Sequence, residues 1–345
     1  MQKKKLPLGK LQIEHLDKLL QKYQTSDERI VVGAGIGRDA AVIDWGEKYL
    51  VAKTDPITFV TDEIGFYAVT INANDIVCTG GTPKWFLATL LLPENFSDEA
   101  LVERIFDQIA DRCKALQIGV IGGHTEVTHG IDRPIVVGQM LGEVPRERLV
   151  KAENIQVGDL VILTKGVAIE AVSILAREKS KEVEKKFGAD FLARAKNFIH
   201  EPGISVWKDA RVATRVAAVH GMHDPTEGGL LTGLYELTRA AQVSFEILPE
   251  KIPVFEETRR LCDYFGLDPL GVIASGALII VTDPVDADVV VKALREEGIP
   301  AEIIGTVLPP GQGVIFRRGN EVEKAPNFES DELTRVFSSS SKKDK

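Results

Sequence analysis

The chain has 345 residues, 44% of them hydrophobic and 27% charged, and a formal net charge of −9. That length predicts about two domains with ample core, and the acidic balance gives a nucleic-acid-binding role no electrostatic support. The densest apolar run, Trp85–Leu92, is far too short to span a bilayer, so no membrane partner is expected.

The basic start, MQKKK, is followed by no apolar region and is not read as a secretory signal. Cys78, Cys113 and Cys262 lie far apart without a CxxC pair, which predicts a reduced, cytoplasmic protein. Ile13, Leu16, Leu19, Leu20 and Tyr23 form a helical stripe over Leu11–Tyr23. In Val31–Asp55, Gly33, Gly35 and Gly37 lead into Asp39. The apolar runs Ala40–Ile43 and Tyr49–Ala52 then read as a β-hairpin that ends at Lys53-Thr54-Asp55. Glycines let a backbone approach a ligand and point N–H groups at it. Carboxylates beside such a loop repel phosphate unless a divalent cation lies between them. The stretch is therefore either an ordinary glycine-rich turn or one wall of a metal–triphosphate site.

Asp62–Cys78 reads as a helix capped by Thr61 or Asp62, with Asn74-Asp75 near its end and a break at Gly80-Gly81-Thr82-Pro83. Lys84–Leu92 is a strand. Ser97-Asp98-Glu99 opens an amphipathic helix through Leu101, Ile105, Ile109, Cys113 and Leu116. Ile118–Ile121 reads as a short buried strand ending at the turn Gly122-Gly123-His124-Thr125-Glu126, and Pro134–Val144 as another strand. Pro145–Gly158 is polar and marks a boundary. The chain divides into domains 1–150 and 151–330 and a disordered tail, 331–345, ending SSSSKKDK. In the second domain Asp159–Thr164 is a strand. Helices are expected from Gly166 to Ala176, over Ser180–Ile199 and over Ile204–His220. A second glycine-rich turn, Met222–Gly229, carries Asp224 and leads into a helix over Leu230–Ala241. Val243–Ile247, Ala277–Val281 and Glu302–Val307 are strands, and Glu256–Phe265 and Val285–Glu297 are helices. Such alternation predicts a layered α/β or α+β fold.

No Walker A sequence occurs, and Arg38 fills the last glycine position of GxGxxG. His124 and His129 form no HExxH, which argues against zinc. What remains is a set of acids at element ends, Asp39, Asp55, Asp75 and Asp224. Each alone reads as a cap or turn residue. Converging, they would serve one or two Mg²⁺ ions bridging phosphate oxygens.

The motifs Gly37-Arg38-Asp39-Ala40-Ala41-Val42, Lys53-Thr54-Asp55, Asn72-Ala73-Asn74-Asp75-Ile76, Gly80-Gly81-Thr82-Pro83, Gly122-Gly123-His124-Thr125 and Asp224-Pro225-Thr226-Glu227-Gly228-Gly229 occur in this order. Together they resemble the aminoimidazole ribonucleotide (AIR) synthase superfamily. That superfamily includes thiamine-monophosphate kinase, selenophosphate synthetase and the hydrogenase maturation factor HypE. Gly266-Leu267-Asp268-Pro269-Leu270 most resembles the HypE branch. The resemblance implies an α+β protein. Its ferredoxin-like N-terminal domain would pair in a homodimer to close a β-barrel, beside an α+β C-terminal domain, with ATP between the domains. It implies that Gly33, Gly35 and Gly37 cover the triphosphate and that Asp39, Asp55, Asp75 and Asp224 hold Mg²⁺. Asn74, Gly122, Gly123, His124, Thr125 and Glu126 would line the phosphate or acceptor side. The implied chemistry is phosphorylation of an amide-like oxygen on a small molecule or protein, with hydrogenase maturation proteins as partners. A small-molecule kinase like thiamine-monophosphate kinase and an ATP-binding assembly partner without turnover are the alternatives.

Three departures qualify the match. Arg38 stands where an acid is usual, and either contacts phosphate or is a surface residue. The chain has no cysteine at its end, so self-dehydration of a C-terminal cysteine adduct is not expected. Ala274-Ser275-Gly276 stands where HypE commonly has Asn-Glu-Gly, so an acid is missing at 275.

Overall fold

A computed structural model describes residues 6, 8–23 and 26–338. Helix α1 (Ile13–Tyr23) precedes a six-stranded sheet built from β1 (Ile30–Val32), β2 (Ala41–Asp44), β3 (Lys48–Ile57), β4 (Thr82–Pro93), β5 (Gly119–Thr128) and β6 (Ile135–Pro145). The strand order is β1-β2-β3-β6-β4-β5. Helix α2 (Ile64–Cys78) joins β3 to β4, and α3 (Glu99–Ala115) joins β4 to β5. Strand β6 runs antiparallel to both β3 and β4, so it fills the gap of a split βαβ unit, the expected ferredoxin-like arrangement. Fourteen of the fifteen residues of α2 are buried, because the sheet, α3 and the C-terminal domain surround it.

The second sheet contains β7 (Leu160–Thr164), β8 (Val219–His223), β9 (Ser244–Ile247), β10 (Ile279–Thr282), β11 (Ala301–Leu308), β12 (Val314–Arg318) and β13 (Glu321–Lys324), in the order β13-β12-β9-β11-β7-β10-β8. Around it lie α4 (Ile169–Glu178), α5 (Ser180–Phe187), α6 (Ala189–Asn197), α7 (Trp207–Val216), α8 (Gly229–Ala241), α9 (Glu256–Phe265), α10 (Pro284–Glu296) and α11 (Thr334–Ser338). The first sheet ends at Pro145 and the second begins at Leu160, with two short 3₁₀ turns between them.

Several local expectations change. Strand β3 runs on to Ile57, so Lys53, Thr54 and Asp55 lie within it rather than beyond it. The expected caps Thr61 and Asp62 are displaced by Glu63, which takes a left-handed conformation without a side-chain capping bond, while Asp62 pairs with Arg177. The segment read as a short buried strand and a turn is one exposed edge strand, β5. Gly123 fits there because a Cβ would lie 2.0 Å from the Ala88 carbonyl oxygen. The expected helix Ser180–Ile199 is broken at Gly188, whose φ of 90° has no place in a right-handed helix. The expected helix Ile204–His220 stops at Val216, and His220 belongs to β8. Within the tail expected to be disordered, Asp331, Leu333, Thr334 and Val336 are buried. Asp331 accepts hydrogen bonds from the Gly228 and Leu333 amides at 2.7 and 2.8 Å. Residues 339–345 of the expected tail lie outside the described residues.

One contact ties the sheet to α2. The Asn72 side chain accepts from the Asp55 amide at 2.9 Å, and its Nδ2 donates to the Asp55 and Ala68 carbonyls. It fits only because Gly138, opposite Asp55 on β6, has no side chain. A Cβ there would lie 2.3 Å from Asn72 Nδ2. Gly138→Ala is therefore expected to displace Asn72 and lower stability by about 1–3 kcal/mol. The urea midpoint measures the loss, and an unchanged midpoint would count against this packing constraint.

Candidate active site

Five segments meet at the junction of the two domains. Lys53 and Asp55 are two apart on β3 and share one face of the sheet. Asp75 and Cys78 are three apart on α2 and share one side of the helix. Asp39 lies just before β2, His223 ends β8 with Asp224 directly after it, and Glu236 lies on α8.

Lys53 Nζ is 2.9 Å from Asp75 Oδ1 and 3.3 Å from Asp55 Oδ2. His223 Nδ1 is 2.6 Å from Asp39 Oδ1. On the other side of its ring, Nε2 is 3.4 Å from Glu236 Oε2, close enough for ion pairing but without hydrogen-bond alignment. Cys78 Sγ donates to Asp224 Oδ1 at 3.6 Å. Ligand atoms of Asp39, Cys78 and Asp224 all lie within 4.8 Å of one another.

The electrostatics follow from burial and crowding. Burial raises the Asp75 pKa well above the usual carboxylate value, despite the opposing pull of Lys53. Burial and the Asp39 charge push Asp224 up to about 7. Burial alone would lower the His223 and Lys53 pKa values, but their acid neighbours outweigh it and both are raised. Glu236 is brought down to about 2: burial opposes this, and Lys10 and His223 override it. Burial, reinforced by Asp224 and Asp39, holds Cys78 as a thiol.

These groups have the chemistry of a hard-cation site. Asp75 Oδ2 and Asp224 Oδ2 are buried without a hydrogen-bond partner among the described residues. Such orphaned acceptors are costly unless something binds them. Carboxylate oxygens suit Mg²⁺, whereas a zinc site would use the thiolate that this environment suppresses. The carboxylates of Asp39 and Asp224 thus have the chemistry to hold a hard cation such as Mg²⁺, with Asp75 and Asp55 on the adjoining helix and strand. A cavity of about 1060 Å³ opens next to Asp55, with Lys10, Thr226 and Glu227 on its wall.

The other residues singled out in the sequence divide. Gly37 has a φ of 70° and packs on α8, where a Cβ would lie 2.5 Å from the Glu236 carbonyl oxygen. The C-terminal end of the Gly33–Gly37 loop thus packs against the backbone of the helix that carries Glu236. Arg38 bonds Glu153 at 2.8 Å and the Gly33 carbonyl at 3.3 Å, so it ties this loop to the interdomain segment. Asn74 does not line a ligand site here. Its Nδ2 donates to the Ile204 carbonyl at 2.8 Å and its Oδ1 accepts from the Val206 amide at 3.0 Å. Gly122, Gly123, His124, Thr125 and Glu126 are exposed on β5. In register, Asp55 pairs with Gly138, Gly138 with Ala88, and Ala88 with Gly123. Three strand spacings separate the β5 residues from Asp55, about 14 Å. Within one chain they do not join the acids.

Cys78, His223 and Glu236 were not named as site residues from sequence. Cys78 carries a signal, being three residues after Asp75 on one helix, and His223 is adjacent to Asp224. Glu236 carries none, since it depends on where α8 docks.

Comparison with known proteins agrees with this architecture. Residues 37–144 match the family described as AIR synthase related protein, N-terminal domain, and residues 156–317 match its C-terminal domain. A putative hydrogenase expression/formation protein of Methanocaldococcus jannaschii is 31% identical over 83% of this chain and 85% of its own. The carbamoyl dehydratase HypE of Azotobacter vinelandii is 30% identical over 73% and 72%. A hydrogenase maturation protein HypE solved in complex with ATP shares the fold, with a TM-score of 0.70 and 21% identity over 94% of each chain.

A raised histidine pKa stabilises the fold below the unfolded value, near 6.5, and that contribution is lost as pH climbs through the folded value. His223→Gln should therefore cost about 1–3 kcal/mol near pH 6 and progressively less in alkali. Melting temperatures of both proteins from pH 6 to 10 test this, and curves that stay parallel would exclude the His223–Asp39 pairing as the cause.

Proposed function

This chain belongs to the AIR synthase-related family, and we propose that it is an Mg²⁺-dependent, ATP-using enzyme of hydrogenase maturation that phosphorylates an amide-like oxygen. The observation that carries the reading is the acid cluster around Lys53 and His223, with orphaned carboxylate oxygens on Asp75 and Asp224. Mg²⁺ held there by Asp39, Asp55, Asp75 and Asp224 would bridge phosphate oxygens and offset their charge. The Gly33–Gly37 loop covers the triphosphate, and the cavity beside Asp55 receives the acceptor. Phosphorylation of a weak amide-type oxygen turns it into a leaving group, so elimination can follow. Cys262 does not carry the acceptor in this reading: it is 2% exposed, and burial pushes its thiol up to about 12.

The chain works as a homodimer in this reading. Strand β5 is a sheet edge whose Val120, Ile121 and Val127 are 52, 54 and 61% exposed. Unpaired strand edges carrying apolar side chains invite pairing with another chain. Two such edges meeting would close the barrel and bring the Gly122–Glu126 segment of one copy toward the nucleotide of the other.

Asp55→Asn should weaken Mg·ATP binding by about tenfold or more while the melting temperature holds. Calorimetry with and without Mg²⁺ measures this, and equal affinity in mutant and parent would remove Asp55 from the metal site. Because Asp224 must lose its proton to bind a cation, parent affinity should rise between pH 6 and 8. Product analysis separates the chemistries: ADP with a dehydrated amide supports this reading, and a stable phosphorylated small molecule supports a kinase.

Val120→Lys with Val127→Lys should yield a monomer by light scattering. A double mutant that remains dimeric would place the interface elsewhere.

A further inference from the structure

The cavity beside Asp55 has a second polar end that the nucleotide reading does not use. Glu170, at the start of α4, and Ser275 both line it, 5% and 0% exposed. They come from segments 105 residues apart, and the Ser275 hydroxyl lies beside the Glu170 carboxyl. Neither Glu170 Oε2 nor Ser275 Oγ has an aligned hydrogen-bond partner among the described residues. The two groups touch each other without good alignment, so buried hydrogen-bonding capacity on both is left for a bound molecule to engage. The wall near them is apolar, with Ile71, Ile174, Ile273 and Phe337. Ser275 also stands at the position where the sequence resemblance leads one to expect an acid, and the carboxyl beside it arrives instead from α4.

We propose that Glu170 and Ser275 form the recognition pair for the acceptor, which meets them with an uncharged amide-type end and fills the apolar wall with its remainder. This rests on the reading of the Asp55 end as the phosphate side. The chemistry of the pair selects the head group. Burial pushes Glu170 up to about 8, so near neutrality it keeps its proton and offers one donor and one acceptor. The serine hydroxyl does the same. An amide N–H and C=O complement that set. An anionic head would face Glu227, Asp331 and Asp224, the acids whose charges act on Glu170. A cationic head would have to be desolvated among isoleucines and Phe337.

Three probes with one ring and different heads test this on the full chain: benzamide, benzoate and benzamidine, followed by ligand-observed NMR. Benzamide should bind saturably and better than both charged probes. Glu170→Ala should weaken it about tenfold, and Glu170→Gln, which keeps a donor and an acceptor, should restore most of the affinity. Ser275→Ala should weaken it severalfold and serves if Glu170→Ala does not fold. Preference for a charged probe, absence of saturable benzamide binding, or benzamide binding indifferent to both alanine variants would overturn the assignment. Calorimetry of Mg·ATP on the same samples keeps the two readings apart. Absent Mg·ATP binding in the parent chain defeats the nucleotide reading. Intact Mg·ATP binding without head-group discrimination defeats the recognition pair alone.

Discussion

The ion pair of Lys53 with Asp75, 2.9 Å long and largely out of solvent, is the constraint on which the acid cluster at the domain junction depends. Asp75 sits at the buried end of α2 within the electrostatic reach of Asp39, Asp55 and Asp224. A cluster of acids in that setting would repel itself apart or hold protons. One lysine from β3 and one histidine from β8 supply the counter-charge, each engaging two acids. Removing a partner from a buried pair costs about 3–5 kcal/mol, because the other charge is left uncompensated. The cluster is therefore poor material for stability, and under the proposed function its charge balance would change on binding a cation.

The scaffold around it is correspondingly stiff. Asn72 pins the backbone of Asp55, while Asn74, two residues on, pins the 204–206 segment of the other domain. One helix thus fixes the acid-bearing strand with one side chain and the domain junction with another. Its near-complete burial explains how a helix with little amphipathic bias is stable: it faces core in every direction.

Much of this was legible in the sequence. The hairpin, the helix over 62–78 and its acid, and the membership implied by ordered motifs all follow from local patterns and spacing. Two kinds of feature escaped. Burial of β5 was misjudged because an apolar run reads the same whether its face meets a core or another surface. The break at Gly188 and the strand at 219–223 were hidden by long stretches whose periodicity fits a helix. Asn74 shows a subtler limit: a polar residue in a site motif can be spent entirely on backbone carbonyls and amides, and only the docked domains show it. Glu236 entered the site through the docking of α8, which no local pattern encodes, whereas Cys78 was within reach of a helical spacing argument from Asp75. Strands β12 and β13 were missed because only Val314–Phe316 is apolar and the charged residues that follow, to Lys324, show no clear alternation.

The bonds that close the site span very long stretches of chain. Asp39 and His223 are 184 residues apart, and Gly228 is held by Asp331, 103 residues later. Contacts of such separation form late in folding. A chain emerging from the ribosome makes β3 and α2 well before β8, and β8 well before Asp331. Asp55, Asp75 and Lys53 belong to one sheet and its helix, so their pairing needs only the first domain. The charge arrangement at the junction is complete only once β8 and α8 have docked His223, Asp224 and Glu236 against it.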